Sequence, residues 1–182
     1  MNMKRLACVA IFLPSVTAMT FAQATRQIGA WSIYTVPQGN KSTVMLQTPA
    51  IPQDGDTRDT SKAATLSVLC KNNKVVAIAL HTTSGVDGHA VSYVGAVPTI
   101  PINLSVAGQV THSQSWAVSE NGHTLSPFSE VFQGKLNREW LDRLNDAKRV
   151  AFAVRGSGTL DLQPAFDTEQ LGAALSSAGC HP

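Results

Sequence analysis

Two histidines and an aspartate lie close together in mid-chain, and their side chains are of the types that bind metal ions. His81 ends one predicted strand, His89 begins the next, and Asp87 lies between them. Imidazole and carboxylate groups suit zinc or copper, so convergence across a hairpin would form a metal site. The spacing matches no established ligand pattern, and a solvated hairpin end explains the same residues. We therefore predict no bound metal or other cofactor and keep the three residues as weak candidates.

Sequence motifs for hydrolysis are absent. The chain downstream of residue 24 contains no G-x-S-x-G, H-E-x-x-H or S-x-x-K pattern. A serine triad could still form from distant residues, because triads are recognised by geometry. The glycine turn at residues 156–158 is not closely followed by a helix, so it does not predict a phosphate site. We expect a protein that is not an enzyme and has no catalytic residues.

The aromatic residues and the remaining histidines offer weaker chemistry. Three tryptophans could stack against sugar rings, but Trp116 lies in a predicted strand and Trp140 on the apolar face of a predicted helix. Large aromatic side chains at such positions anchor cores, so we predict that these two and Trp31 are buried. His112, His123 and His181 are predicted to be surface residues.

The elements that must position these side chains are mostly strands. Alternating or continuous apolar runs predict strands over residues 31–36, 42–48, 64–70, 74–82, 89–97, 115–119, 149–155 and 159–162. Residues 104–110 are ambiguous between strand and loop, and residues 49–62 read as a surface loop because they contain two prolines and a glycine. Pro98 and Pro101 are expected to close the strand before them.

Two short helices are predicted late in the chain. Apolar residues recur at helical spacing over residues 136–146. Asp167 followed three residues later by Gln170 fits a capping box, and Gly179 fits a left-handed stop after the last helix. The fold class predicted is α+β: an antiparallel β-sheet or sandwich with two short helices packed late in the chain.

The N-terminus has the three parts of an export signal. Lys4 and Arg5 precede an uncharged, mostly apolar run over residues 6–21, and residues 22–24 (Ala-Gln-Ala) form a small-x-small cleavage site. The run is too short and interrupted to span a bilayer comfortably. We therefore expect residues 1–24 to be removed, leaving residues 25–182 as one globular β-rich domain that is periplasmic or secreted, with no membrane span.

The charge balance argues against nucleic acid as a partner. The chain has 14 Lys and Arg against 12 Asp and Glu, with a sequence pI of about 8.5. Lys4 and Arg5 leave with the signal, so the mature chain is near neutral. Its sequence contains no basic patch of the kind that nucleic-acid-binding domains carry.

Two cysteines remain after signal cleavage, because Cys8 leaves with the signal. Paired thiols in an exported chain usually form a disulfide, and two free buried thiols are the alternative. We predict a Cys70–Cys180 bridge that fastens the end of the last helix to a central strand.

Five segments in a fixed order carry a resemblance to a known family. They are the Trp31 strand, residues 66–73 (Leu-Ser-Val-Leu-Cys-Lys-Asn-Asn), 116–125 (Trp-Ala-Val-Ser-Glu-Asn-Gly-His-Thr-Leu), 150–155 (Val-Ala-Phe-Ala-Val-Arg), and 166–171 (Phe-Asp-Thr-Glu-Gln-Leu) continuing to Cys180. This order resembles the TagO/VasI-like family of type VI secretion-associated periplasmic proteins. In that family a cysteine near a polar turn precedes a hairpin, and an F-D-x-x-G-L helix with a cysteine closes the chain. Gln170 stands where the family pattern has glycine.

The resemblance implies a function without catalysis. It implies an accessory role in the periplasm through contacts with an envelope or secretion-apparatus protein, and it supplies no catalytic residues. Two other interpretations stay open: a periplasmic immunity or inhibitor protein, and an envelope hydrolase or metal-dependent enzyme that uses His81, Asp87 and His89.

Overall fold

The structure is a computed structural model that describes residues 26–38, 41–51, 64–128, 133–155 and 161–181. The expected export signal, most of the loop predicted over residues 49–62, and the glycine turn at residues 156–158 lie outside the described residues.

The described part of the chain contains twelve strands and two α-helices. The strands are β1 (Arg26–Ile28), β2 (Trp31–Gln38), β3 (Lys41–Pro49), β4 (Ala64–Lys71), β5 (Lys74–Thr82), β6 (Ser92–Val94), β7 (Val97–Val106), β8 (Gln109–Val118), β9 (Thr124–Pro127), β10 (Arg149–Arg155), β11 (Asp161–Leu162) and β12 (Ala165–Asp167). The helices are α1 (Gln133–Asp146) and α2 (Leu171–Ser177), and a short 3-10 helix spans Gly88–Ala90. Neither α-helix in the described ranges has the length and apolar character needed to cross a membrane.

The strands form one connected antiparallel sheet. Its order is β1-β2-β3-β4-β5-β9-β8-β7-β10-β11, with β6 also paired to β7 and β12 to β10. Just after β3, the amide of Ile51 donates a hydrogen bond of 2.7 Å to the carbonyl of Ala165 in β12, so the sheet curls until distant strands meet. The predicted antiparallel sheet with two late helices is confirmed, and it is one large sheet.

The core lies on the inner face of this curled sheet. Side chains alternate between buried and partly exposed along β10, as the two-residue period of a strand requires. Trp116 packs edge-on against Trp140 and Phe152, with ring centroids 4.9 and 5.5 Å apart. Both tryptophans and Trp31 are fully buried, which confirms the prediction that they anchor the core.

Helix α1 fills the gap between β5 and β8, which the four-residue strand β9 bridges at one end only. Asn137 Nδ2 donates to the carbonyl of Val76 in β5 (3.0 Å), and Trp140 Nε1 donates to Gln114 Oε1 in β8 (2.8 Å). The two side chains thus tie the helix to both strands and give partners to polar groups that would otherwise be buried unpaired.

The predicted disulfide is present. Cys70 in β4 is bonded to Cys180 just after α2, with Cα atoms 6.1 Å apart. Gly179 has φ +65°, which confirms the predicted left-handed stop. Beyond the bridge, His181 exchanges backbone hydrogen bonds with the β4–β5 hairpin, donating to Asn73 (2.8 Å) and accepting from Val75 (3.0 Å).

The predicted strand over residues 89–97 is wrong in its bounds. His89 lies in the 3-10 helix, β6 spans only Ser92–Val94, and Gly95 with φ +61° begins a two-residue turn into β7. Glycine at the first turn position suits a type II′ hairpin. The ambiguous residues 104–110 are the end of β7, a turn and the start of β8.

The two prolines expected to end a strand lie inside β7 instead. Thr99 is the last β7 residue that pairs with β6, and Asn103 is the first that pairs with β10. Pro101 lies between these two residues. Pro98 lies beyond the last β7–β8 pair, Thr99 with Ala117. A strand accepts proline where no ladder hydrogen bond is needed, so both prolines occupy gaps in the pairing.

The predicted capping box is also wrong. The N-cap of α2 is Gln170, and its side chain makes no capping hydrogen bond. Asp167 Oδ1 instead accepts from the amide of Glu169 (3.0 Å), and Thr168 Oγ1 donates to the carbonyl of Ala147 (2.6 Å). These bonds shape the turn before the helix.

Candidate functional site

The structure does not bring the three candidate metal ligands together as a metal site. His81 is half-buried with Nδ1 3.1 Å from Thr124 Oγ1, and burial lowers the pKa of this histidine. Asp87 Oδ1 accepts from the amide of His89 (2.9 Å), and its Oδ2 lies 3.6 Å from Arg155 Nε. Across the described ranges, the structure brings no three His, Cys, Asp or Glu side chains together as a metal site.

Two of the histidines expected at the surface are instead half-buried and hydrogen-bonded. His123 Nδ1 lies 2.9 Å from the carbonyl of Thr82, so this nitrogen donates. His112 Nε2 lies 3.3 Å from Gln114 Oε1, and its ring packs edge-on against Trp140 with centroids 5.1 Å apart. These two side chains support β-strand packing, whereas His181 is exposed.

A groove of about 430 Å³ opens beside the 3-10 helix that contains His89. It lies between the segment 86–93 and the turn at residues 118–122, and we call it the Tyr93 groove. The residues that matter for its chemistry are Val91, Tyr93, Pro98, Val118, Ser119 and Glu120.

The floor of the Tyr93 groove continues the inner face of the sheet. Leu80 is paired with Leu125, Leu125 with Val118, and Pro98 with Tyr93. Pro98 and Val118 adjoin the last β7–β8 pair, Thr99 with Ala117, and both line the groove. Residues opposite one another on neighbouring strands share a face. Along this row the exposed fraction rises from 0% at Leu80 and Leu125 to 8% at Val118 and 72% at Tyr93. The apolar core face therefore runs out into solvent at Tyr93.

Backbone hydrogen bonds fix the walls of the groove. The amide of Val86 donates to the carbonyl of Gly122 (3.1 Å), and the amide of Asp87 donates to the carbonyl of Arg155 (3.0 Å). In the turn, Asn121 Oδ1 accepts from Ser119 Oγ (2.6 Å) and from the amide of His123 (3.1 Å). Both walls are thus held in place before any ligand arrives.

Among the described residues that line the groove, one side chain is charged. Glu120 is exposed and makes no ion pair with any residue in the described ranges. The neighbouring Asp87 faces the guanidinium of Arg155, so its charge is balanced. The groove therefore combines an apolar floor, an exposed aromatic ring and one unbalanced carboxylate.

Sequence reasoning did not single out Tyr93 or Glu120. The signal that points to Tyr93 is the short run Ser-Tyr-Val followed by Gly95 and Ala96 before Val97, which fits a tight hairpin with glycine at the first turn position. An aromatic residue in so short an outer strand would then be a candidate for exposure.

Comparisons with known proteins locate the fold and leave the activity open. No family model matches the chain, and no curated protein matches it. The structure is similar to the crystal structure of invasion associated protein B from Bartonella henselae, with a TM-score of 0.54 and 15% sequence identity. The match covers 84% of this chain and 92% of that one, so most of the architecture is shared.

Proposed function

We propose that this chain is a non-enzymatic accessory protein of the periplasm, of the TagO/VasI-like type, that binds an envelope or secretion-apparatus protein through the Tyr93 groove. The observation that carries the proposal is the row of core residues that emerges into solvent at Tyr93, whose side chain is 72% exposed.

Apolar surface that stays exposed to water is unfavourable unless a partner covers it. Apolar patches with a polar rim mark interaction sites, and tyrosine is among the residues that dominate binding energy at protein interfaces. The walls of the Tyr93 groove are held by backbone hydrogen bonds, so little ordering cost opposes binding.

The disulfide supports a location outside the cytoplasm. The Cys70–Cys180 bridge suits an oxidising compartment, as does the expected export signal.

A photo-crosslinking experiment tests the proposal. A benzoylphenylalanine replaces Tyr93 in one variant and Val110, which is 63% exposed at the start of β8, in the control. After irradiation of native host cells, we expect a defined adduct with an envelope or secretion-apparatus protein from position 93 and none from position 110. Equal adducts from both positions, or none from position 93, would refute the proposal, and an adduct with a toxin would favour the immunity role.

A further inference from the structure

We infer that the Tyr93 groove recognises a basic side chain, lysine or arginine, on its protein partner. This inference rests on the proposed function, because it names the chemistry of the segment that would enter the same groove. Its basis is the juxtaposition of an exposed tyrosine ring, an unbalanced carboxylate and an apolar floor.

The apolar floor suits the stem of a long basic side chain. Val91, Pro98 and Val118 line the groove, and the last two adjoin the final β7–β8 pair, Thr99 with Ala117. Lysine and arginine bury their methylene stems on apolar surface while keeping the charged end near water. The groove opens to solvent at Tyr93, so a charged end placed there would stay hydrated.

The rim of the groove suits the cationic end. An aromatic ring attracts a cation above its face, and Tyr93 is free of covering side chains over most of its surface. Glu120 lines the same groove and has no ionic partner among the described residues. A cation held at this rim would balance that carboxylate.

The lining also argues against anionic ligands. None of the described residues that line the groove is a lysine or an arginine, and the nearby Arg155 faces Asp87. Phosphate groups and acidic peptides are recognised by such cations, so these ligands would meet an uncompensated negative charge at Glu120. A neutral sugar is the remaining alternative ligand, and a binding experiment distinguishes it from a basic side chain.

The experiment is a titration of isotope-labelled protein followed by amide chemical shifts. The probe is a capped Gly-Arg-Gly tripeptide, and its matched control carries citrulline, the neutral counterpart of arginine. At low salt, where charges are screened least, we expect shifts in residues 91–94 and 118–122 with the arginine peptide and at least about twofold weaker binding with citrulline.

Three variants assign the effect to named groups. Glu120→Gln should weaken binding of the arginine peptide about two- to fivefold, the range of an exposed ion pair, and should reduce its advantage over citrulline. Tyr93→Leu should weaken it similarly, whereas Tyr93→Phe, which keeps the ring, should not. Asp142→Asn, which removes an exposed carboxylate from α1, is the control and should leave binding unchanged.

The outcomes separate this inference from the proposed function. Equal binding of the arginine and citrulline peptides, or tighter binding of a neutral oligosaccharide, would overturn the inference. If position 93 still crosslinks an envelope protein in that case, the proposed function stands. Discrimination by the peptides without any crosslinked protein would support the groove chemistry and count against the proposed function.

Discussion

Removing the Cys70–Cys180 bridge should lower stability substantially and loosen the C-terminal helix first. The bonded residues are 110 apart in the sequence. In the chain-entropy model, a loop of this length stabilises the native state by about 4.7 kcal/mol, because the bridge restricts the unfolded chain. Both cysteines are buried, so a double alanine variant avoids burying new hydroxyl groups.

The local effect follows from what else holds the C-terminal segment. Helix α2 has seven residues, too few to be stable alone. Leu171, Ala174 and Leu175 are its buried residues, and the His181 backbone pairs with the β4–β5 hairpin. Strands β4 and β5 are held by eight cross-strand residue pairs with each other. The helix should therefore open at lower cost than the sheet once the covalent link is cut.

Two measurements check the two parts of this prediction. Urea unfolding, followed by fluorescence of the three buried tryptophans, should show the Cys70→Ala, Cys180→Ala variant about 3–5 kcal/mol less stable than the native protein. Hydrogen exchange should show protection lost first over residues 171–181 and retained over residues 64–82. Reductant should destabilise the native protein to the same extent and leave the double variant unchanged.

The result that contradicts the local argument is uniform loss of protection. If residues 64–82 and 171–181 exchange equally fast in the double variant, the bridge supports the whole sheet and α2 is not a separate unit. A stability loss below about 1 kcal/mol would contradict the chain-entropy estimate itself, since engineered and natural bridges over long loops typically give 2–4 kcal/mol.

Three further predictions concern single residues. Ala107 has φ +50° in the β7–β8 turn, so Ala107→Gly should stabilise the protein by about 1 kcal/mol in urea unfolding; a loss of stability would contradict this. Burial lowers the pKa of His81, so only the unfolded chain gains its proton just below pH 6.5. Stability should fall as the pH drops from about 6.5 toward the lowered pKa of His81, and an equal slope in His81→Gln would refute the assignment. Trp140→Phe removes the donor to Gln114 Oε1, which should lower the free energy of unfolding by about 1–3 kcal/mol. If the Gln114→Ala, Trp140→Phe double variant loses no more free energy than Trp140→Phe alone, the two side chains are coupled.

The hairpin of β4 and β5 was predictable because residues close together in the sequence determine both strands and the turn between them. The predicted bounds, 64–70 and 74–82, match the observed strands to within one residue. Asn72 and Asn73 both adopt positive φ, a conformation that asparagine tolerates better than most residues, so the turn was readable too. The disulfide was predictable for a different reason: signal cleavage would leave only one pair of cysteines to combine.

The region around the groove was not predictable, because long-range pairing decides it. Proline usually ends a strand, and Pro98 and Pro101 read that way from the sequence. In the sheet, each proline lies where a neighbouring strand is missing, and no local signal shows where β6 ends and β10 begins. The same holds for His81 and Asp87, whose partners Thr124 and Arg155 lie on strands that are distant in the sequence.

The gaps in the pairing of β7, which could not be predicted from the sequence, also form the candidate site. Strand β7 is ten residues long, but β6 covers only three of them before β10 takes over. Because β6 pairs only with β7 among the described strands, the apolar row that is buried at Leu80 and Leu125 reaches its edge at Tyr93. Exposure of Tyr93 is thus a consequence of its place in a strand that pairs on one side only. A surface produced in this way by the fold, with its walls fixed by backbone hydrogen bonds, is a reason to look for function at the Tyr93 groove before the scattered histidines.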